Sequence, residues 1–227
     1  MALSATDASG YFPAMYARVT ERIAASISNG GFADGARMDL FASTFAGYFT
    51  RAWDHPQARP RCWHACWDVA GDGNMLIAQH LLLGTHVNHD LALTVVDVAS
   101  ADGDLAPIRP DFDAVNDVLA ETYGDVLRSL DRVSRWTNRV AAAGGGRLFN
   151  FSLRVARSQA WSAAERIHAL RDEEDRVAYT KQLDGLVSVL AYLTTRPPGL
   201  VRPLLWVALR LEEHDPSAMI AALLGDG

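Results

Sequence analysis

The stretch from Asn74 to Ala99 reads NMLIAQHLLLGTHVNHDLALTVVDVA. It contains no proline and is apolar over most of its circumference, which is typical of a helix that is buried on every side. A stretch of this kind predicts the central helix of an all-helical core. The ionisable residues that it also carries must be paired inside the protein, because an unpaired charge is costly to bury.

Helical periodicity also dominates the rest of the chain. The β-branched run from Thr94 to Val98 is the only strand-like stretch, and a single strand cannot form a sheet. The last helix is expected to begin with Asp215 as its N-cap and Pro216 at its first position. The other helices are predicted over residues 13–28, 34–53, 61–69, 74–99, 112–133, 148–170 and 173–194, with one further short helix before Asp215.

These elements predict an all-α fold, a multi-helix bundle of about eight or nine helices packed around the central buried helix. The chain of 227 residues fits one domain over residues 1–227, and residues 1–10 are expected to be a flexible N-terminus.

The net charge is −6, with 21 basic residues interspersed among 27 acidic ones. This balance disfavours a nucleic-acid partner, because no basic face could displace counterions from a phosphate backbone. No uncharged apolar window reaches roughly 18 residues, and the first residues lack the segments of a secretion signal. We therefore expect a cytoplasmic protein with no membrane partner. Lys181 is the only lysine, which together with frequent alanine indicates a bacterial genome of high GC content.

Cys62 and Cys66 lie four positions apart in the sequence CWHAC. On a helix this spacing places both thiols near one side with His64 close by, so a metal or redox site is one interpretation. The spacing differs from the two-residue gap of a zinc knuckle, and there is no second cysteine pair. We favour two reduced, buried cysteines that pack as small apolar side chains.

His86 and Asp90 are the candidate catalytic residues. They lie four positions apart, so on an α-helix they face the same space. A carboxylate in this position can orient an imidazole for acid–base catalysis, or the two groups can ligate one metal ion. A third interpretation is a hydrogen-bonded pair that only stabilises the core.

The same geometry divides the other polar residues of the central helix. At about 100° per residue, Asp97 lies on the face of His86, and His89 lies on its flank. Asn88 lies on the opposite side, where we expect it to bond a neighbouring helix or loop. His80 points about 120° away from His86 and is expected to be structural.

A second line of polar residues follows the predicted helix over residues 148–170. Its members are Asn150, Arg154, Arg157, Trp161, Glu165 and His168. Arginines beside a tryptophan can hold a carboxylate or phosphate, and the alternative is a solvated face of arginine–glutamate pairs. Asn116, on the flank of the apolar stripe of the preceding helix, is typical of a half-buried hydrogen-bonding residue.

Four short segments carry a resemblance to a known family. They are Phe45-Ala46-Gly47-Tyr48-Phe49, His86-Val87-Asn88-His89-Asp90-Leu91, Val115-Asn116 and Ala156-Arg157-Ser158-Gln159-Ala160-Trp161. In this order, over about residues 11–170, the chain resembles the bacterial family called domain of unknown function 5995 (DUF5995). Members usually carry Asn-Ala before the histidine, where this chain has Gly84-Thr85, so it resembles a divergent member. The family name implies no activity.

The function that we favour is a cofactor-free enzyme of cyclase, isomerase or lyase type in bacterial specialised metabolism. His86 would act as the acid or base with Asp90 as its orienting partner, in an apolar pocket between helices. The substrate would be a small, largely apolar metabolite. The residues expected to bind it are His89, Asn116, Arg157 and Trp161.

Two alternatives stay open. In a metal-dependent hydrolase, His86 and Asp90 would ligate a divalent metal, with Asp39, His64 or His168 as a further ligand. In the other alternative, the chain is a non-enzymatic ligand-binding or scaffolding protein whose polar stripe supports the core. A homo-oligomer is compatible with each of these hypotheses.

Overall fold

A computed structural model describes residues 7–70, 83–99, 103–130, 146–195 and 215–225. Every regular element within these ranges is a helix, which confirms the all-α prediction. The α-helices are α1 (Tyr11–Ser28), α2 (Gly35–Asp54), α3 (Arg61–Ala70), α4 (Leu91–Ala99), α5 (Arg109–Leu130), α6 (Gly146–Ala169), α7 (Glu173–Thr195) and α8 (Pro216–Leu224). One π-helical turn (His86–Asp90) precedes α4, and short 3₁₀ turns cover Ala8–Gly10, Pro56–Ala58 and Ala106–Ile108. Within the described ranges, no helix has both the length and the apolar character needed to span a membrane.

The helix ends follow local sequence signals. The Asp34 carboxylate accepts the backbone N–H of Arg37 at 2.9 Å and so caps α2. Asp215 accepts the N–H of Ser217 at 2.9 Å, which confirms it as the N-cap of α8 with Pro216 at the first position. Residues 74–82 of the predicted central helix, His80 among them, and the short helix predicted before Asp215 lie outside the described residues.

Part of the segment predicted to be a flexible N-terminus packs on the core. Asp7 accepts the N–H of Ser9 at 2.9 Å and caps the turn Ala8–Gly10, in which Ala8 is buried. This turn contacts α1, α3 and α8. Residues 1–6 lie outside the described part of the chain.

The buried side chains form two adjoining clusters. One contains Phe12, Phe49 and Trp63 with the buried residues of α8, and the other surrounds α4 with residues of α2, α5 and α6. Leu83 and Leu183 pack against both clusters. The π turn and α4 contact α2 and α6, and the π turn also contacts α7, so residues 83–99 form the buried central helix that the sequence predicts.

A buried carboxylate joins the start of α5 to the loop between α1 and α2. Asp111 is 2% exposed and accepts the backbone N–H groups of Ala33 at 2.6 Å and Asp34 at 3.0 Å. These bonds position α2, which supplies aromatic side chains to the candidate site.

Candidate functional site

The π turn places the candidate residues. The N–H of Leu91 donates to the carbonyl of His86, five residues earlier, instead of the four of an α-helix. The Asn88 side chain donates to the carbonyl of Gly84 at 2.7 Å, so it bonds its own helix and not a neighbouring helix or loop as predicted. A wider turn changes the phase of the residues that follow it. Asp97, predicted on the face of His86, is exposed and accepts a hydrogen bond from the Tyr48 hydroxyl at 2.8 Å.

Asp90 is a buried acceptor of several N–H groups. Its Oδ2 lies 2.8 Å from Nδ1 of His86, and its Oδ1 lies 2.7 Å from Nδ1 of His89. The indole N–H of Trp63 donates to both oxygens, at 3.1 and 3.3 Å. All four residues are at most 2% exposed. An ionised carboxylate only accepts, so both imidazoles carry their proton on Nδ1 in this arrangement.

The His86 ring is clamped by aromatic side chains. Phe45 stacks on it with ring centroids 3.7 Å apart and planes within 6° of parallel. Tyr16 meets it edge-on at 5.1 Å, and Phe12 and Phe49 approach from 5.7 and 6.0 Å. With Nδ1–H donated to Asp90, Nε2 keeps its lone pair, and it has no hydrogen-bond partner among the described residues.

Burial and pairing set the protonation of the site. Burial lowers the pKa of His86 below its ordinary value of 6.5 and outweighs the opposing effect of Asp90, so the imidazole is neutral near neutral pH. Burial alone would raise the pKa of Asp90, but hydrogen bonds from His86 and His89 hold it below 3.8. Burial and the charge of Asp90 raise the pKa of the Tyr16 phenol, which therefore stays protonated.

His86 lines an apolar cavity of about 90 Å³ between α1, α2, α5 and α6. Apolar walls come from Phe41, Phe45 and Val115, and Tyr16 contributes its ring. Thr20 also lines the cavity and is exposed, so the cavity reaches the surface beside α1. A neutral imidazole with a free lone pair in an apolar cavity is an arrangement suited to accepting a proton from a bound molecule.

Arg157 lines the same cavity and is 4% exposed. Its Nη2 donates to the carbonyl of Phe112, and its guanidinium carbon lies 4.2 Å from the centroid of the Phe112 ring. Its Nε has no hydrogen-bond partner within the described ranges. Burial lowers the pKa of Arg157 to about 10, although Asp113 opposes this shift, and the guanidinium remains charged near neutral pH. Arg157 is therefore not part of a solvated face of arginine–glutamate pairs, which was the alternative interpretation of this helix.

The other predicted substrate-binding residues do not line the cavity. His89 bonds to Oδ1 of Asp90 and is not part of the cavity wall. Asn116 is half-buried outside it, with its Oδ1 lacking a partner among the described residues. Trp161 packs on Phe112 with ring centroids 5.0 Å apart and donates to Glu165 at 2.8 Å, beside a separate surface groove that His168 also lines.

The further metal ligands predicted for a hydrolase are scattered. Asp39 and His64 are exposed, and His168 belongs to the separate groove. Across the described ranges, none of them joins His86 and Asp90 in a cluster of close donor atoms. Cys62 and Cys66 are both buried, as predicted, and no disulfide joins them.

The sequence pattern did not identify Trp63, Phe45 or Tyr16 as members of the site. Trp63 lies between the cysteines of CWHAC, and its role depends on how α3 meets the π turn. Phe45 belongs to one of the segments that carry the family resemblance. That membership is the signal that could have located it.

A family model described as a family of unknown function, DUF5995, matches residues 2–197. The chain belongs to the DUF5995 family. Neither the curated proteins nor the solved structures compared with it include a match. In this family member, the four segments that carried the resemblance each supply a residue to the cavity, namely Phe45, His86, Val115 and Arg157.

Proposed function

We propose that this chain is a cofactor-independent acid–base enzyme whose substrate binds in the cavity beside His86. Two observations carry the proposal: His86 lines an apolar cavity, and its Nε2 is buried without a hydrogen-bond partner in the described part of the chain. Asp90 fixes the tautomer that leaves this lone pair available. An unused buried acceptor is uncommon in folded proteins and needs a reason.

In the proposed step, Nε2 removes a proton from a carbon or oxygen of the bound molecule. The imidazolium that forms is stabilised by the Asp90 carboxylate, which His89 and Trp63 hold in place. The same nitrogen can return the proton to another atom, which gives an isomerase, or retain it while a leaving group departs, which gives a lyase. The apolar walls exclude water and so keep the base unsolvated.

Arg157 supports a substrate with an anionic group. A buried guanidinium with an unused N–H on the wall of an apolar cavity is suited to a carboxylate, because charge-assisted bonds are strong where water is excluded. The proposed substrate class is therefore a small, largely apolar molecule that carries one carboxylate. This assignment keeps Arg157 as a substrate-binding residue and leaves Trp161 out.

The metal-dependent hydrolase is not proposed. The additional ligands lie elsewhere, and no cluster of close donor atoms within the described ranges includes His86 and Asp90. A ligand-binding protein without catalysis would use the same cavity, so the experiment must separate binding from turnover.

The test uses 5-nitrobenzisoxazole, an apolar probe that reports on a base. Removal of its ring C–H proton breaks the N–O bond and gives a coloured cyanophenolate, so no co-reactant is needed. Replacing His86 with glutamine keeps a polar side chain of similar length and removes the base, and we expect the rate to fall by at least about 100-fold. The matched control is His64→Gln, because His64 is exposed. Saturable probe binding without turnover would favour the binding protein, and equal rates in both variants would refute the role of His86.

The anion site is tested by comparing the affinities of benzoate and benzyl alcohol, which differ chiefly in charge. We expect the wild-type chain to favour benzoate by about 10-fold or more, since a hydrogen bond to a charged group contributes about 1.5–3 kcal/mol. Arg157→Met should remove the preference, whereas Arg154→Met, on the exposed side of the same helix, should retain it. An unchanged preference in Arg157→Met would exclude this residue as the anchor.

A further inference from the structure

A second group of reactive side chains lies on the other side of Asp90 from His86. Cys62 from α3, His89 from the π turn and Asp184 from α7 each bring one donor atom to within 4.8 Å of the others. Cys62 and His89 are at most 2% exposed, and Asp184 is half-buried. Three separate elements converge here, because α3 packs along α7 and the π turn contacts α7.

The hydrogen bond of His89 leaves one of its nitrogens available as a ligand. Nδ1 of His89 is bonded to Asp90 at 2.7 Å, which leaves Nε2 as the nitrogen available for a metal. Metal-binding histidines commonly donate their second N–H to a carboxylate in this way, which fixes the ring and raises its basicity. The Cys62 sulfur and a carboxylate oxygen of Asp184 lie within 4.8 Å of each other, and the pKa of the thiol is raised by burial and by Asp184.

Helix capping explains only one member of the group. Asp184 accepts the backbone N–H groups of Arg61 at 3.1 Å and Cys62 at 2.8 Å, at the start of α3. That role needs neither a thiol nor an imidazole beside the carboxylate. Each carboxylate oxygen has a second lone pair, so capping leaves Asp184 able to bind a cation.

We propose that Cys62, His89 and Asp184 form a binding site for Zn²⁺ with a fourth position open to water. A thiolate, an imidazole and a carboxylate form a donor set that suits zinc, and three protein ligands with one open position are typical of reactive zinc sites. Zinc–ligand distances of about 2.0–2.3 Å place donors roughly 3.5 Å apart in a tetrahedral site. Separations within 4.8 Å therefore need side-chain movements of only about 1 Å.

Binding releases one proton. The Cys62 thiol releases its proton to solvent. The resulting thiolate, the His89 nitrogen and the Asp184 oxygen then bind the ion, and no electron is transferred. This site is independent of the proposed chemistry at His86, although the two sites share Asp90 as a neighbour.

The experiment titrates chelator-treated full-length protein with Zn²⁺ by calorimetry and with Co²⁺ by absorption spectroscopy. We expect one ion per chain and a sulfur-to-cobalt charge-transfer band, which requires a bound thiolate. Cys62→Ser should remove the band and weaken Zn²⁺ binding by at least about 100-fold, since even the loss of an outer-shell partner weakens metal sites by 10- to 100-fold. Cys66→Ser is the matched control, because Cys66 is the other buried thiol of the same helix and its sulfur lies 2.6 Å from the Thr85 hydroxyl.

Asp184→Asn removes the charge and keeps one of the two oxygens that accept backbone N–H groups at the start of α3, so we expect it to weaken Zn²⁺ binding while it retains part of the helix cap. Circular dichroism checks that each variant folds. If Cys62→Ser or Asp184→Asn does not fold, X-ray absorption of the zinc-loaded wild-type chain decides, with one sulfur in the zinc shell expected. Absence of stoichiometric binding, a zinc shell without sulfur, or a band that survives in Cys62→Ser overturns the proposal.

Discussion

Replacing Asp90 with asparagine removes the charge from the acceptor at the centre of the site and changes its volume little. The carboxylate accepts N–H groups from His86, His89 and Trp63, all buried with it. In the variant, the amide oxygen still accepts hydrogen bonds. The amide nitrogen, however, is itself a donor and replaces an oxygen that accepted an N–H group. One imidazole can change tautomer and accept from that nitrogen, whereas the Trp63 indole can only donate.

The magnitude follows from these contacts. Hydrogen bonds to a charged group contribute about 1.5–3 kcal/mol each, and neutral ones contribute about 1 kcal/mol. The variant loses the charge assistance of all three bonds and places an N–H donor against one of the donor groups, so we expect the free energy of unfolding to fall by about 3–5 kcal/mol. If His86 is the imidazole that changes tautomer, its Nε2 becomes protonated and the proposed base is lost as well.

Urea unfolding followed by circular dichroism and tryptophan fluorescence measures the effect. Asp97→Asn is the matched control, because Asp97 lies on the same helix but is exposed and accepts one bond from Tyr48. We expect that control to lose no more than about 1 kcal/mol. A difference between the two variants below about 1 kcal/mol would refute the conclusion that the Asp90 carboxylate is a buried acceptor of three N–H groups.

Three further predictions concern acid stability, thiol reactivity and one interhelical connection. Burial lowers the pKa of His86 in the folded chain below its ordinary value of 6.5. As pH falls through 6.5, His86 therefore becomes protonated in the unfolded chain before it does in the folded chain, and the free energy of unfolding of the metal-free protein should fall. Urea midpoints across this window should show a smaller slope in His86→Gln, and an equal slope would contradict the assignment. Burial raises the pKa of Cys66 from 9.0 to about 11 and raises that of Cys62 further, so alkylation of the native, chelator-treated protein should be at least about 100-fold slower than in urea. Equal labelling rates in the two states, measured by mass spectrometry, would show that the thiols are accessible. Asp111→Ala should lower the free energy of unfolding by about 2–4 kcal/mol, because it removes two hydrogen bonds to backbone N–H groups. Asp113 is exposed, so Asp113→Ala should change the free energy of unfolding little. Equal losses in the two variants would exclude the two backbone bonds as the cause.

Local signals account for most of the fold that could be predicted. The sequence predicts the helix over residues 173–194, and α7 covers Glu173–Thr195. Asp215 and Pro216 similarly mark the start of α8. These features were accessible because capping and apolar spacing act within one or two turns of a helix.

The site was predicted in part. His86 and Asp90 are bonded as their spacing suggested, and Arg157 lines the same cavity. The predicted placement of Asp97 on the face of His86 was wrong. The prediction assumed a regular rotation of about 100° per residue, whereas the helix contains a π turn between the two residues. Asn88 was expected to contact a neighbouring helix, but it bonds the Gly84 carbonyl within its own helix.

The sequence by itself determined that this chain is helical, that the predicted central helix over residues 74–99 is buried along most of its described part, and that a histidine and an aspartate share one face of that helix. These properties depend on neighbours in the chain, so composition and period are enough to reveal them. Only the tertiary structure decided that Trp63 and His89 complete the acceptor shell of Asp90, that Phe45 stacks on His86, and that Cys62 meets Asp184. Those contacts join residues of different helices, and their geometry depends on how the helices pack and not on any local spacing.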